Sequence, residues 1–268
     1  MVGTSPRLFV LAWVLLLAML SGCAGKLPKT APLSSDQQQE ADGLLTTFLQ
    51  TQPPPSLDAD IRLGWDVLGS KGVIDASLQV RQPAFLRFTA TDPLGRALFI
   101  VVSDGTTFTM VDSRVGRVYQ GRTASKFWHS HVPEALRAED LFLFLSGSLP
   151  QMEKPMVHTA QNLEHTGYWY VWQDGRNMGH HILVDRQRRQ MIRHLLVDPQ
   201  GGLVVEVRYL AYGDDREPGY NWPRHLEIAG KAVTGTLTVQ VEKIYPNQPI
   251  PAAFKLAYPS HYTVEQVP

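Results

Sequence analysis

Ala76-Ser77-Leu78-Gln79-Val80-Arg81-Gln82-Pro83-Ala84-Phe85-Leu86-Arg87-Phe88-Thr89-Ala90-Thr91-Asp92-Pro93-Leu94-Gly95 decides the architecture. Ala76, Leu78 and Val80 alternate with Ser77, Gln79 and Arg81. Leu86, Phe88 and Ala90 then alternate with Arg87, Thr89 and Thr91. A period of two places each apolar set on one face of a strand and each polar set on the other. Gln82-Pro83 and Asp92-Pro93-Leu94-Gly95 are breakers of the kind that end one strand and start the next. The stretch therefore reads as a hairpin with one dry face, closed by a tight Pro-x-Gly turn.

Working outward, the pattern recurs. Leu237, Val239 and Val241 alternate with Thr238, Gln240 and Glu242. Gly69-Ser70-Lys71-Gly72, Asp104-Gly105 and Gly201-Gly202 are further breakers. Leu98 to Val102 is apolar on both faces, which predicts a strand covered on both sides. Strands resume at Tyr168 and run to about Ala257, giving about ten or eleven in all. A sheet of that length must curl, close or be covered, because its edges and its apolar face are otherwise open to water.

Two helical segments interrupt the strands. Ser34 and Ser35 offer an N-cap, Leu44, Leu45, Phe48 and Leu49 fall at helical spacing, and Pro53-Pro54-Pro55 ends the run, so 35–51 reads as an amphipathic helix. In the middle, Pro133 suits a first helical position and Gly147 a stop. Leu136, Leu141, Phe142, Leu143, Phe144 and Leu145 between them make a helix that is apolar all round and needs enclosure. Ser125 to His131 reads as another short helical turn. The fold class is mainly β (α+β): a curved antiparallel sheet with an N-terminal helix and a central helical insertion as covers.

The N-terminus carries a separate message. Arg7 precedes 13 apolar residues, Leu8 to Leu20, and then Leu20-Ser21-Gly22-Cys23. A basic start, a short apolar core and a small-residue cut site describe a secretory signal over 1–22. As a helix, 13 residues span about 20 Å against a hydrocarbon core of roughly 30 Å, which argues against a membrane anchor. Leu-Ser-Gly-Cys resembles the bacterial lipobox, which implies cleavage before Cys23, a diacylglycerol on its thiol and an acyl chain such as palmitate on its new amine. Several chains exceed what stable anchoring requires. Cys23 is the sole cysteine, so no internal disulfide is available. Residues 24–33 read as a tether and 34–268 as one domain. Ala24 at the second position implies, by enteric sorting, the outer membrane, with the domain facing the periplasm. Without residues 1–22 the chain carries 24 Lys/Arg against 25 Asp/Glu, because the leader holds only Arg7. That balance argues against nucleic acid as a partner.

Several constellations look chemical. His129-Ser130-His131 falls in the helical or looped stretch, and His180 and His181 point to opposite faces of an extended strand. Neither has a partner at zinc-like spacing, so no metal and no cofactor is expected. Ser146-Gly147-Ser148 reads as a helix stop, because a Gly-x-Ser-x-Gly elbow is absent. Phosphate loops and dinucleotide fingerprints are absent too. Arg186-Gln187-Arg188-Arg189 reads as a solvated turn. The expectation is a chain that is not an enzyme.

Four stretches resemble the LolA/LolB family of lipoprotein carriers and outer-membrane receptors. Asp92-Pro93-Leu94-Gly95 is similar to the receptor's Asn-Pro-Leu-Gly turn. Leu141 to Pro150 is similar to the family's buried helix and its exit. Val205 to Tyr212, and then Trp222-Pro223-Arg224-His225-Leu226-Glu227-Ile228 with Gly235 to Ile244, are similar to its later strands. The likeness runs in order over most of 35–258 and is nearest the LolB side, the lipidated member. The chain departs in its polar turn Gly213 to Gly219 and its extension Asn247 to Pro268.

The resemblance implies an incomplete β-barrel with helices in its concave face and an apolar cavity for acyl chains. It implies lipoprotein or lipid cargo, a periplasmic LolA-like donor, and a role in receiving or inserting lipoproteins at the outer membrane. It also implies a membrane-insertion loop at Pro93, Leu94 and Gly95, with Leu94 projecting into lipid. Alternation and helix face nominate Trp65, Phe88, Phe99, Leu141, Phe144, Leu145, Tyr168, Tyr170 and Val207 as cavity lining, each equally readable as ordinary core. An acyl chain makes no directed bonds and leaves no motif. Two other readings stay open: a structural or assembly lipoprotein that uses this fold for docking, and an envelope enzyme.

Overall fold

The computed structural model describes residues 27–268 except 52, 68, 133–135, 150–157, 214–219, 232, 234 and 246–255. The leader, Cys23, Pro133, Pro150, most of the Gly213 to Gly219 turn and the start of the Asn247 extension lie outside the described residues.

One open sheet of fifteen strands carries the fold. Thr30–Ala31 is β1, and helix α1 follows at Ser35–Gln50. The next six strands are β2 Ser56–Val67, β3 Ser70–Arg81, β4 Phe85–Thr91, β5 Ala97–Ser103, β6 Thr107–Asp112 and β7 Arg117–Arg122. They pair in sequence, each antiparallel to the last. Helices α2 (Lys126–His129) and α3 (Ala138–Ser146) come next. Seven more strands meander antiparallel: β8 His158–Asn162, β9 Gly167–Gln173, β10 Gly179–Asp185, β11 Met191–Val197, β12 Leu203–Tyr212, β13 Pro223–Gly230 and β14 Gly235–Ile244. Then β14 pairs antiparallel with β2 and joins the two meanders. Strand β15, Thr263–Val267, lies parallel to β7 at one edge, and β1 pairs with β8 at the other.

The count exceeds the ten or eleven strands expected, and the sheet is not closed into a barrel. The strands that sequence reading passed over are short, polar or at an edge. Thr30–Ala31 falls inside the stretch read as tether, yet it pairs with Asn162 and Gln161. His-Thr-Ala-Gln-Asn (β8) has no apolar alternation, and Thr-Val-Glu-Gln-Val (β15) is mostly exposed. Strand β5 is covered on both sides at its end, where the neighbours Val102 and Ser103 face opposite ways and are both buried; its earlier residues are half-buried.

Helix α1 starts as its sequence dictates. The Ser34 hydroxyl accepts from the Gln37 backbone N–H (3.3 Å), and Gln37 Oε1 accepts from the Ser34 N–H (2.9 Å). This reciprocal box satisfies two of the donors a helix start leaves open. Ala41 and Leu44 are buried against the concave face of the sheet. Tyr170 donates to the Ala41 carbonyl (2.8 Å), and Glu40 accepts from Tyr168 (2.8 Å) and from the Arg186 guanidinium (2.6 and 2.9 Å).

Helix α3 begins at Ala138, after the non-helical Leu136 and Arg137, because its first turn is set by Asp140, whose carboxylate accepts from the Arg137 backbone N–H (2.9 Å); the expected first position, Pro133, lies outside the described residues. It stops at Gly147 as expected. There φ is +61°, and a Cβ would stand 2.8 Å from the Tyr212 hydroxyl and 3.0 Å from Pro223 Cγ, so both conformation and space require glycine.

Candidate functional site

The concave face holds one large core. Leu57, Ala59 and Ile61 of β2, Ala76, Leu78 and Val80 of β3, and the inward residues of β9–β13 meet Phe142, Phe144 and Leu145 of α3 there. Beside it, across β5–β7, a second cluster gathers Phe108, Met110 and Val267 with Phe99, Tyr119, Phe127 and Trp128. Trp128 of α2 lies over Phe108 with ring centres 4.9 Å apart. Ser125 caps that one-turn helix by accepting from the Trp128 N–H (3.2 Å), so the aromatic pair Phe127 and Trp128 is held down onto the sheet.

Between the two clusters a cavity of about 440 Å³ remains. That volume is within the roughly 300–1,000 Å³ usual for small-ligand sites. Its apolar wall is Leu86 of β4, Trp128, Val132, Leu136, and Leu141 and Phe144 of α3. Ser103, Thr123, His129, Arg137 and Glu139 supply a polar margin. Ser103 is occupied: its hydroxyl donates to the Thr107 carbonyl and accepts from the Gly105 N–H, both at 3.0 Å. The cavity thus lies between α2, the start of α3 and the ends of β4 and β5.

The nominated lining residues sort by position. Leu141 and Phe144 border the cavity. Leu145, Tyr168, Tyr170 and Val207 are buried in the main core, with Phe88 half-buried against it. Phe99 belongs to the second cluster. Trp65 is brought to neither: its ring covers Gly72 at the far tip of the β2–β3 hairpin, and its Nε1 donates to Ser70 Oγ (3.0 Å). Leu86, Trp128, Val132 and Leu136 were not nominated. Leu86 shares the inward alternation of Phe88, a usable signal; the other three line the site because of where the chain crosses.

Polar groups lie beneath α3. Arg176, in the β9–β10 turn, donates to Asp140 (3.1 Å) and to Asp174 (2.6 Å). Next to Asp174 is His180, stacked on Trp172 with ring centres 4.9 Å apart. His180 Nδ1 lies 3.0 Å from His194 Nε2, and the His194 ring meets Phe144 edge-on at 4.9 Å. His194 is 0% exposed. Sequence reading placed His180 and His181 on opposite faces, which is how they lie: His180 pairs across the concave face with Trp172, and His181 is half-buried on the other side. His194 was missed, since in Met191–Val197 it is a lone histidine next to Arg193 and carries no spacing signal. Among the described residues no group of three His, Cys, Asp or Glu is set to hold a metal ion.

Burial pushes the imidazoles of His180, His181 and His194 down from the ordinary value, with Asp174 partly opposing this at His180. They therefore stay neutral in the folded chain at a pH where the unfolded chain takes up protons. The unfolded state then binds more protons, so stability rises with pH in that window. The expected result is full stability above about pH 6.5 and a decline below it. The slope approaches about 1.4 kcal/mol per pH unit for each histidine that stays neutral. Asp174 is held below the usual carboxylate range: burial acts to raise it, and the hydrogen bonds from Arg176 and the Arg176 and Met178 N–H groups overcome that. Its contribution fades only at lower pH. Denaturant unfolding between pH 7.5 and 5.5 checks the prediction, and a flat profile in that range would sink it.

The Asp92–Arg96 turn is built rigidly. Asp92 Oδ1 accepts from the N–H groups of Leu94 and Arg96, both at 2.9 Å, and Oδ2 accepts from Arg96 Nε at 2.7 Å. The Arg96 N–H and guanidinium hold the Asp92 carboxyl below its usual range. Gly95 has φ +77°, which closes the turn. Leu94 is left 78% exposed. It lies past the end of β4 opposite to Leu86, so loop and cavity are about 20 Å apart along the strand. Among the described residues no helix is long and apolar enough to cross a membrane.

No protein-family model matches the sequence, and none of the curated proteins is a significant match. Solved structures do match. A DUF1329 family protein from Desulfovibrio piger aligns with a TM-score of 0.56 at 11% identity, over 84% of this chain and 98% of its own. A structure described as an outer membrane lipoprotein-sorting protein domain, from Vibrio parahaemolyticus, gives 0.52 at 11% over 81% and 94%. A LolA superfamily protein from Nitrosomonas europaea gives 0.51 at 10% over 81% and 97%. What the chain shares with these neighbours is the LolA-like architecture, an open, curved and mainly antiparallel sheet with helices in its concavity, and at this identity the likeness shows the fold alone.

Proposed function

We propose that the chain is a non-catalytic carrier or receptor for acylated cargo, a lipoprotein or a lipid, whose acyl chains occupy the cavity between the helical insertion and the concave sheet. In this reading it is itself a lipoprotein, acylated on Cys23, held at the outer membrane and facing the periplasm, on the LolB side of the family it resembles. A periplasmic LolA-like carrier is the donor, and the Leu94 loop meets the membrane.

The observation that carries the reading is the cavity of about 440 Å³. Its wall of Leu86, Trp128, Val132, Leu136, Leu141 and Phe144 suits a chain that gains about 0.8 kcal/mol per buried methylene. Arg137, Glu139 and His129 also line it and would give an ester or amide head polar neighbours.

The test is native mass spectrometry of the full chain purified with its envelope lipids, followed by uptake of a fluorescent fatty acid. Acylated peptide or lipid released on denaturation is the expected result. Leu141→Trp, which fills the cavity from α3, is expected to weaken fatty-acid uptake more than tenfold. That corresponds to about two methylenes' worth of lost burial, since each is worth about 0.8 kcal/mol. A clean unliganded mass together with no uptake would turn the reading to a docking or assembly lipoprotein.

A further inference from the structure

Leu94 has a structural counterpart two strands away. The β6–β7 turn, Asp112-Ser113-Arg114-Val115-Gly116, repeats the construction of the β4–β5 turn. An aspartate opens each turn and is tucked in by its own arginine. Asp112 Oδ1 accepts from the Arg114 N–H (3.0 Å) and Oδ2 from Arg114 Nη2 (2.6 Å), as Asp92 does from Arg96. Each turn closes on a glycine of positive φ, Gly95 at +77° and Gly116 at +64°. The residue just before that glycine is aliphatic and exposed: Val115 is 62% exposed, second to Leu94 within this pair. Both turns leave the sheet in the same direction, because β5 and β6 are antiparallel neighbours with Phe99 facing Asp112. At about 4.8 Å per strand the two tips lie roughly 10 Å apart. Beside Gly116 the Tyr262 ring approaches within 3.6 Å of where a Cβ would stand, and Thr263 donates to the Gly116 carbonyl (3.0 Å).

We propose that these two turns form one two-point contact with a phospholipid surface, in which Val115 enters the lipid alongside Leu94. This rests on the carrier reading above, whose membrane-facing loop it extends. A bilayer fits the features better than a protein does. Protein interfaces draw their energy from Trp, Tyr and Arg set in pockets, with Leu and Val under-represented. Here two small aliphatic tips protrude, each in a turn that carries one arginine, Arg96 or Arg114, whose stem can lie along apolar surface while its head stays wet, and the Tyr262 ring stands beside Gly116. Each arginine is neutralised by its own aspartate, so entry depends on apolar burial and not on attraction to anionic lipid. One apolar tip would let the domain tilt in any direction. Two tips on a rigid sheet fix its tilt along the line that joins them.

The experiment uses full-length chain reconstituted in vesicles of phosphatidylethanolamine and phosphatidylcholine. In the carrier reading the sole cysteine carries the anchor, so Leu94→Cys, Val115→Cys and, on β12, Leu210→Cys each present one free thiol for an environment-sensitive fluorophore; the parental chain controls for labelling at Cys23. The expected result is that the labels at 94 and 115 shift to the blue and lose most of their emission to a lipid-borne quencher, at low and high salt alike, while the label at 210 does neither. A label at 115 that stays in water while 94 enters overturns the two-point contact, as does failure of both, or entry at 115 that high salt abolishes. Fatty-acid uptake by the same samples reads the carrier function separately: labels that enter lipid in a chain with no uptake would refute the carrier and leave the contact standing.

Discussion

Arg176→Met is expected to cost about 3 kcal/mol of folding stability, because it leaves two carboxylates that depend on it without their cation. Asp140 is 7% exposed at its side chain and Asp174 is 20% exposed, and Arg176 lies between them. A surface ion pair lost in this way would cost little, since water replaces the partner. Here Asp140 sits in the first turn of α3, where the Arg137 N–H would still serve it but no longer a cation. For a domain of this size the loss corresponds to a melting temperature lower by roughly 6–12 °C. Denaturant unfolding measures it, and a loss below about 1 kcal/mol would mean that water already screens the pair. Pairing Arg176→Met with Asp140→Leu is expected to restore part of the stability, because the more deeply buried of the two carboxylates is then gone and only the more exposed Asp174 is left without its cation.

The same substitution bears on the site. The Arg176 clamp anchors the start of α3 to the β9–β10 turn, and α3 brings Leu141 and Phe144 to the cavity. A loosened α3 weakens fatty-acid uptake in step with stability, whereas Leu141→Trp weakens uptake through volume with little change in unfolding. The two variants separate the cavity as a shape from the helix as a scaffold.

What the sequence made legible follows from how local each cause is. The start of α1 is written in Ser34 and Gln37, three residues apart, and the end of α3 is written in Gly147 through a single backbone conformation. The hairpins of β2–β5 are written in alternation and breakers. The strands β1 and β15 were not legible, because they are held by partners distant in sequence, Thr30 by Asn162 and Val267 by Gly121, and β8 was not because it pairs with its neighbour β9 without any apolar alternation. The cavity was half legible for the same reason. Leu141 and Phe144 follow from helix face, while Trp128, Val132 and Leu136 line it because the crossover passes over β4 and β5. Trp65 has the right alternation, but alternation gives only the face of a strand, not the position along it, and β2 carries this residue to a hairpin tip. The pair His180 and His194 joins neighbouring strands through a register that no single strand announces.

Leu94→Glu is expected to abolish delivery of cargo to the membrane while leaving both the fold and the cavity intact. The side chain is 78% exposed and contributes to no buried cluster among the described residues, so its loss removes no core packing. The turn is held by Asp92 through backbone N–H groups and Arg96, none of which needs the leucine side chain. Stability is therefore expected to change by no more than about 0.5 kcal/mol, as for other exposed sites. The membrane term changes far more. Burying a leucine side chain is worth about 1.5–3 kcal/mol, and a carboxylate in its place would have to shed its hydration to enter. Because the loop lies about 20 Å along the strands from Leu86, fatty-acid uptake should stay at the parental level. The discriminating experiment follows an acylated cargo from a donor carrier to vesicles: cargo is accepted from the donor and then retained on the variant. Normal transfer by Leu94→Glu would remove the loop from the mechanism, and loss of uptake as well as transfer would mean that loop and cavity are coupled through the sheet in a way their separation does not predict.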